Sequence, residues 1–121
     1  MVKIVIPGEL TDLNEYIRQE RGNKFVAAKT KKNETFAVSL FAREQGKPIT
    51  GRVSIHCTWF CKDERKDPDN IAFAKKYILD GLVTAGILEG DGWKHIGGLS
   101  DGFEIDKENP RVEVLIWKSF V

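Results

Sequence analysis

With 121 residues and a mass of 13.7 kDa, the chain has room for one domain, spanning residues 1–121, with its own hydrophobic core. A hydrophobic fraction of 41% argues against a disordered chain, whereas a formal net charge of +1 neither requires nor excludes a polyanionic partner. No apolar run approaches the roughly 18 residues of a membrane span or resembles a secretion signal, so we expect a cytoplasmic protein without a membrane partner.

The chain begins with a predicted strand and helix. Alternating apolar residues at positions 2, 4 and 6 predict a strand that ends at Pro7-Gly8. Asp12 followed by Glu15 is typical of a helix N-terminus, and Arg21-Gly22-Asn23 should interrupt that helix.

A second, longer helix is predicted from Phe25 to about Arg43. Its lysines are expected to stay in water. Three large apolar side chains are expected to face the core, namely Phe36, Leu40 and Phe41. Gly46, Pro48 and Gly51 then predict a loop.

The clearest strand runs from Arg52 to Cys61, where polar and apolar residues alternate. The apolar face, which should contact the core, comprises Val53, Ile55, Cys57, Trp59 and Cys61. The highly charged segment 62–70 cannot be buried and predicts an exposed loop, with Pro68 expected to stop any regular element.

A helix is predicted from Ile71 to Ala85, with Asp69 or Asn70 as its N-cap and Gly86 as its terminator. Next come a strand-like piece from Trp93 to Asp106, a turn and a strand from Arg111 to Lys118, and we expect these two strands to pair as a hairpin. The element order predicts a single α+β domain with a mixed or antiparallel sheet and helices packed on one face.

Acidic residues lie beside the predicted core strand and helix. Asp67 and Asp69 precede the helix, and Asp91 follows it. Carboxylates on such loops suit magnesium, which takes oxygen ligands and keeps several waters. The alternative is a turn in which Asp69 only caps the helix.

Three motifs follow one another over this region: Lys-Asp-Pro-Asp-Asn-Ile at 66–71, Lys-Lys-Tyr-Ile-Leu-Asp-Gly-Leu at 75–82 and Ala-Gly-Ile-Leu-Glu-Gly-Asp at 85–91. Their succession resembles the RusA family of Holliday junction resolvases, which share an Asp-x-Asp-Asn stretch, a helix with Leu-Asp-x-Leu and an Ala-Gly ending before an acidic pair. Asn14-Glu15-Tyr16 and the segment Asn-Pro-Arg-Val-Glu-Val at 109–114 also resemble phage or prophage members from Gram-positive hosts. Here Gly90 replaces the first acid of the pair, and the spacing from Asp69 to the Leu-Asp of the helix is longer.

The resemblance implies a RusA-like endonuclease that cuts branched DNA as a homodimer, with Mg²⁺ or substitute Mn²⁺ and no organic cofactor. It makes Asp67, Asp69 and Asp91 the metal-binding acids and Lys76 the catalytic-site lysine. The basic residues expected to contact DNA phosphates are Lys24, Lys29, Lys31, Lys32, Lys62, Arg65, Lys66 and Lys75.

Several alternatives stay open. Lys76 and Asp80 lie four residues apart on one face of the predicted helix. The alternative to a catalytic Lys76 is therefore a surface ion pair with Asp80. The residues between the end of the predicted helix and Asp91 are barely long enough to reach back to Asp69. Either the helix therefore starts several residues after Asn70, or Asp91 completes the site of a partner subunit.

Other residues have weaker functional interpretations. His56, Cys57, Cys61 and His95 do not have the usual spacing of a zinc site. Trp93, Phe103 and Trp117 could stack on bases, although core packing is the default for such residues. The chain could also be a catalytically silent DNA-binding module or a protein interaction domain.

Overall fold

The computed structural model describes residues 1–119, so Phe120 and Val121, the last two residues of the expected domain, lie outside the described part. The elements are β1 (Val2–Pro7), α1 (Leu13–Gly22), α2 (Lys24–Gln45), β2 (Val53–Cys61), α3 (Pro68–Ala72), α4 (Lys75–Thr84), β3 (Ile96–Ile105) and β4 (Arg111–Lys118). The α+β prediction is confirmed. Within residues 1–119, none of the helices is long and apolar enough to cross a membrane.

The four strands form one mixed sheet in the order β1-β4-β2-β3. Strand β4 is antiparallel to both of its neighbours, whereas β2 and β3 are parallel. The predicted β3–β4 hairpin is therefore wrong, because β2 lies between the two strands. The turn from β3 to β4 passes the end of β2, where the Asp106 N–H donates to the Cys61 carbonyl at 2.8 Å.

The core lies between one face of the sheet and the helices. The predicted apolar face of β2 is confirmed, with Val53, Ile55, Cys57 and Trp59 buried and Cys61 half-buried. Helices α2 and α4 approach closely at Gly81, where an added Cβ would lie 2.5 Å from Val38 Cγ1. Only glycine fits there without a shift, which explains the glycine in the Leu-Asp-Gly-Leu motif.

The face of helix α2 that packs against the core is not the one that carries most of its large apolar residues. Val38 and Ala42 are buried, whereas Phe36 and Leu40 are 56% and 44% exposed. Phe41 packs only partly against the core. The prediction is therefore wrong for Phe36 and Leu40 and confirmed in part for Phe41. Close contact with α4 favours the smaller side chains of α2 at the buried positions.

The predicted single helix over 71–85 is also wrong in its bounds. Helix α3 begins at Pro68, which is tolerated in a first helical turn because its missing N–H is not needed there. The helix breaks at Phe73, whose ring packs against Tyr16 and Tyr77 with centroids 5.4 and 5.9 Å apart. Helix α4 then ends before Gly86, which has the positive φ of 78° expected of a terminator.

Candidate metal and DNA site

Asp67 and Asp69 lie at the junction between β2 and α3, and both are exposed. Asp67 occupies the N-cap position, yet its side chain makes no capping hydrogen bond. Asp69 lies in the first turn, where Oδ1 accepts from the Asn70 N–H at 2.9 Å. The prediction that Asp69 or Asn70 is the N-cap is therefore wrong, and the cap position leaves the Asp67 carboxylate facing solvent.

Two polar contacts hold the turn that carries Asp67 and Asp69 against α1. Asn70 is buried, and its Oδ1 accepts from the Asn14 N–H at 2.9 Å. Lys66 Nζ lies 2.9 Å from Asp12 Oδ2. Asp12 also accepts from the Glu15 N–H, as the sequence predicts for an N-cap. Asp12 and Asn70 thus satisfy two of the N–H groups that a helix N-terminus leaves unpaired.

The contact between Lys66 and Asp12 changes the ionisation of both groups. Burial raises the pKa of Asp12, but hydrogen bonds from the Glu15 N–H and from Lys66 outweigh it, so the pKa of Asp12 is lowered overall. The hydrogen bond to Asp12 raises the pKa of Lys66. Both groups are charged at neutral pH, and Lys66, expected to contact DNA, is already paired within the protein.

The structure brings Lys76 and Asp91 together. Lys76 Nζ lies 3.9 Å from Asp91 Oδ2 and 3.3 Å from Asp80 Oδ1. The loop after α4 therefore folds back to the first turn of that helix within one chain. The ion pair with Asp80, which the helical spacing allows, is also present.

The three predicted metal ligands do not form one cluster. Among residues 1–119, there is no group of three His, Cys, Asp or Glu side chains placed to hold a metal ion, and this covers the zinc alternative as well. Asp67 lines a groove together with Pro68 and Phe103. Asp91 lines a second groove together with Trp93.

Sequence reasoning missed Asp101, which lies on the core side of β3 opposite Cys57. Its carboxylate accepts hydrogen bonds from Lys75 Nζ at 2.5 Å and from Trp59 Nε1 at 2.9 Å. Along the same face of β3, Leu99 lines the groove of Asp91 and Phe103 lines that of Asp67. Asp101 thus lies between the two grooves. An acid at an inward position of an alternating strand is the signal that could have identified it.

The predicted DNA-contacting residues divide into two groups. Lys66 and Lys75 are paired with acids inside the fold. The others are exposed, although Arg65 lies 3.7 Å from Asp63. The exposed basic side chains are Lys24, Lys29, Lys31, Lys32, Lys62 and Arg65.

The donor chemistry near Asp67 and Asp69 fits magnesium. This ion is usually bound by one or two protein carboxylates together with substrate phosphates and water, so two adjacent aspartates suffice on the protein side. A site closed by three carboxylates would require Asp91 to lie closer to Asp67 and Asp69 than it does here.

Comparison with protein-family models and with curated proteins finds no match to this chain.

Proposed function

We propose that this chain is a magnesium-dependent endonuclease of RusA type that resolves Holliday junctions or related branched DNA. The observation that carries the proposal is the contact between Lys76 and Asp91, since two separate motifs contribute their expected site residues to one place. The exposed pair of Asp67 and Asp69 supports it further, because neither carboxylate serves as the helix cap.

In this proposal Asp67, Asp69 and Asp91 hold Mg²⁺, for which Mn²⁺ can substitute. When bound, the ion would activate water and neutralise negative charge on the attacked phosphate. Lys76 is half-exposed between two acids, so its ammonium can contact a phosphate that enters beside Asp91. The products would be 5′-phosphate and 3′-hydroxyl ends.

The exposed lysines of α2 would contact phosphates away from the cut, so junction affinity should fall as salt rises. Resolution needs two cuts related by a two-fold axis, and a homodimer provides two equal sites. A cytoplasmic location in a bacterial host, with the protein encoded by a phage or prophage, belongs to the same proposal.

A protein interaction domain is the second candidate, and one observation favours it. The outer face of α2 exposes large apolar side chains, with Phe25 86% and Phe36 56% exposed. Unburied apolar surface of this kind is typical of interaction sites.

The deciding experiment incubates the protein with labelled four-way junction or linear duplex, with and without magnesium, beside Asp69→Asn. We expect magnesium-dependent paired nicks on the junction that are absent in the variant. Junction binding without cleavage would favour a catalytically silent DNA-binding module. Absence of junction binding would favour the interaction domain. Equal cutting of linear duplex would leave a nuclease without junction specificity.

A further inference from the structure

Trp93 presents almost its whole indole to water. It is 89% exposed, whereas Trp59 is buried and Trp117 is half-buried. The sequence-based default of core packing is therefore wrong for Trp93. Because a large aromatic ring gains free energy on leaving water, such exposure favours a binding partner.

The loop that carries Trp93 is fixed by the backbone on its C-terminal side. The N–H groups of His95 and Ile96 both donate to the Gly92 carbonyl at 3.0 Å. The Val53 N–H donates to the His95 carbonyl at 2.8 Å, which joins the loop to β2. On the N-terminal side, Gly90 lies against the His95 ring, where an added Cβ would be 2.7 Å from Cδ2. The backbone on both sides of Trp93 is thus held by the fold, and it places Trp93 at an exposed position.

Trp93 also borders the groove that contains Asp91. The groove has a volume of about 360 Å³, and Gly97 and Gly98 contribute backbone without side chains to its wall. The groove is open to solvent, so a flat base can approach the indole from outside. Two residues of chain span at most about 7 Å, so the indole starts close to the Asp91 carboxylate.

We propose that Trp93 is a stacking platform for an unpaired base of bound DNA, beside the phosphate that reacts near Asp91. This inference rests on the proposed function, since it takes DNA as the ligand of the Asp91 groove. Arg52 lines the groove, Lys76 contacts Asp91, and exposed Lys94 follows Trp93 in sequence, so basic groups that can contact a phosphate lie in or near the groove. Stacking on an aromatic ring tolerates any base, because every base has a π face.

The platform gives a physical reason for preferring branched DNA. In a linear duplex both faces of each base are covered by its neighbours, so the indole has no face to contact. At a branch point, bases lose a neighbour and can be turned outward at a lower cost. Trp93 therefore favours junctions over duplex at the binding step.

The test compares wild-type protein with Trp93→Ala and Trp93→Phe, using calcium in place of magnesium to measure binding. Phe25→Ala is the matched control, because Phe25 is equally exposed but lies on α2. The ligands are a linear duplex and a four-way junction carrying 2-aminopurine at the branch. We expect Trp93→Ala to weaken junction binding about tenfold and to abolish quenching of 2-aminopurine. Trp93→Phe and Phe25→Ala should bind the junction like wild type, and duplex affinity should not change.

Unchanged junction binding by Trp93→Ala, or an equal loss on linear duplex, would overturn the stacking platform. If the wild type cuts junctions in magnesium while Trp93→Ala binds and cuts equally well, the platform fails and the nuclease stands. If the wild type binds and quenches the branch base but never cuts, the nuclease fails and the platform stands. A wild type that binds no DNA would overturn both.

Discussion

The two acidic segments on either side of helices α3 and α4 are fixed in different ways. Asp67 and Asp69 lie on a turn whose neighbours are tied to α1 by two short polar contacts, Asn70 to Asn14 and Lys66 to Asp12. Asp91 lies on an exposed loop. Among residues 1–119, its side chain forms one ion pair, in which Lys76 Nζ lies 3.9 Å from Asp91 Oδ2. In the proposed site, the difference indicates a preformed half-site at the turn and an adjustable half-site at Asp91, whose exposed side chain can change rotamer although the loop backbone around it is hydrogen-bonded.

The largest predicted effects fall on cleavage. Asp69→Asn should lower the rate of junction cleavage by about 10³-fold, because a cation of this kind contributes several kcal/mol to the reaction. Asp91→Asn should lower it by a smaller factor, about 10- to 100-fold, because the Asp91 side chain is held less firmly and contributes less to positioning the ion. Single-turnover rates on a four-way junction measure both. Equal losses would contradict the distinction between the half-sites, and unchanged free energies of unfolding serve as the control, since both side chains are exposed.

The next effect is on stability, at Asp12, which helps to hold the turn of Asp67 and Asp69 against α1. Asp12→Ala should lower the free energy of unfolding by about 2 kcal/mol at neutral pH, because it removes both the α1 cap and the partner of Lys66. Asp12→Asn is the matched control, since it keeps a capping oxygen and should lose less. Urea denaturation gives both values.

This contribution depends on pH in a defined direction. The pKa of Asp12 is lower in the folded protein than the ordinary value of 3.8, so its stabilisation is present above pH 3.8. It should disappear as the pH falls through the lowered pKa. The difference between wild type and Asp12→Ala should therefore shrink below pH 3.8, and a constant difference would show that the charge of Asp12 is not involved.

A smaller effect is expected at Asn70. Asn70→Ala should lower the free energy of unfolding by about 1 kcal/mol, because the Asn14 N–H loses its acceptor. Asn70→Asp retains an oxygen at the same position and is the control. If the two variants were equally destabilised, the hydrogen bond to α1 would not be the reason that Asn70 is buried.

The smallest effect is expected at the adjustable half-site. Asp80→Asn should change the free energy of unfolding by less than about 0.5 kcal/mol, because its pair with Lys76 is a partly exposed i,i+4 contact. Glu89→Gln, which neutralises an exposed acid on the following loop, is the control. If Asp80→Asn lowered the free energy of unfolding by more than about 1 kcal/mol, the effect would exceed the range of an exposed ion pair. The contacts of Lys76 beside Asp91 would then be as stabilising as those beside Asp67.

Local patterns predicted the parts of the fold that depend on neighbours in sequence. The alternation in β2 identified its buried face, and Asp12 identified the start of α1. Contacts distant in sequence decided the rest. Gly81 against Val38 selected the buried face of α2, and the insertion of β2 between β3 and β4 excluded the hairpin. Neither effect leaves a periodic signal in the segment that it changes.

The candidate site was predictable to a similar extent. The motifs predict Asp67, Asp69, Asp91 and Lys76 as site residues, and this stays a prediction. The helical spacing also allowed the pair of Lys76 with Asp80, which is present. Asp101 was missed because its significance arises only when β3 pairs in parallel with β2 and faces Lys75. The exposure of Trp93 was equally unpredictable, since an aromatic residue beside a strand is usually covered.

The most direct test of the central claim is whether both half-sites surround one metal ion. Fe²⁺ with ascorbate and peroxide cleaves a protein backbone close to the bound ion, and the fragments identify the surrounding segments. We predict cuts at residues 67–70 and near residue 91, both suppressed by excess magnesium and both absent in Asp69→Asn. Cuts in only one of these segments, or none that magnesium suppresses, would contradict a shared site.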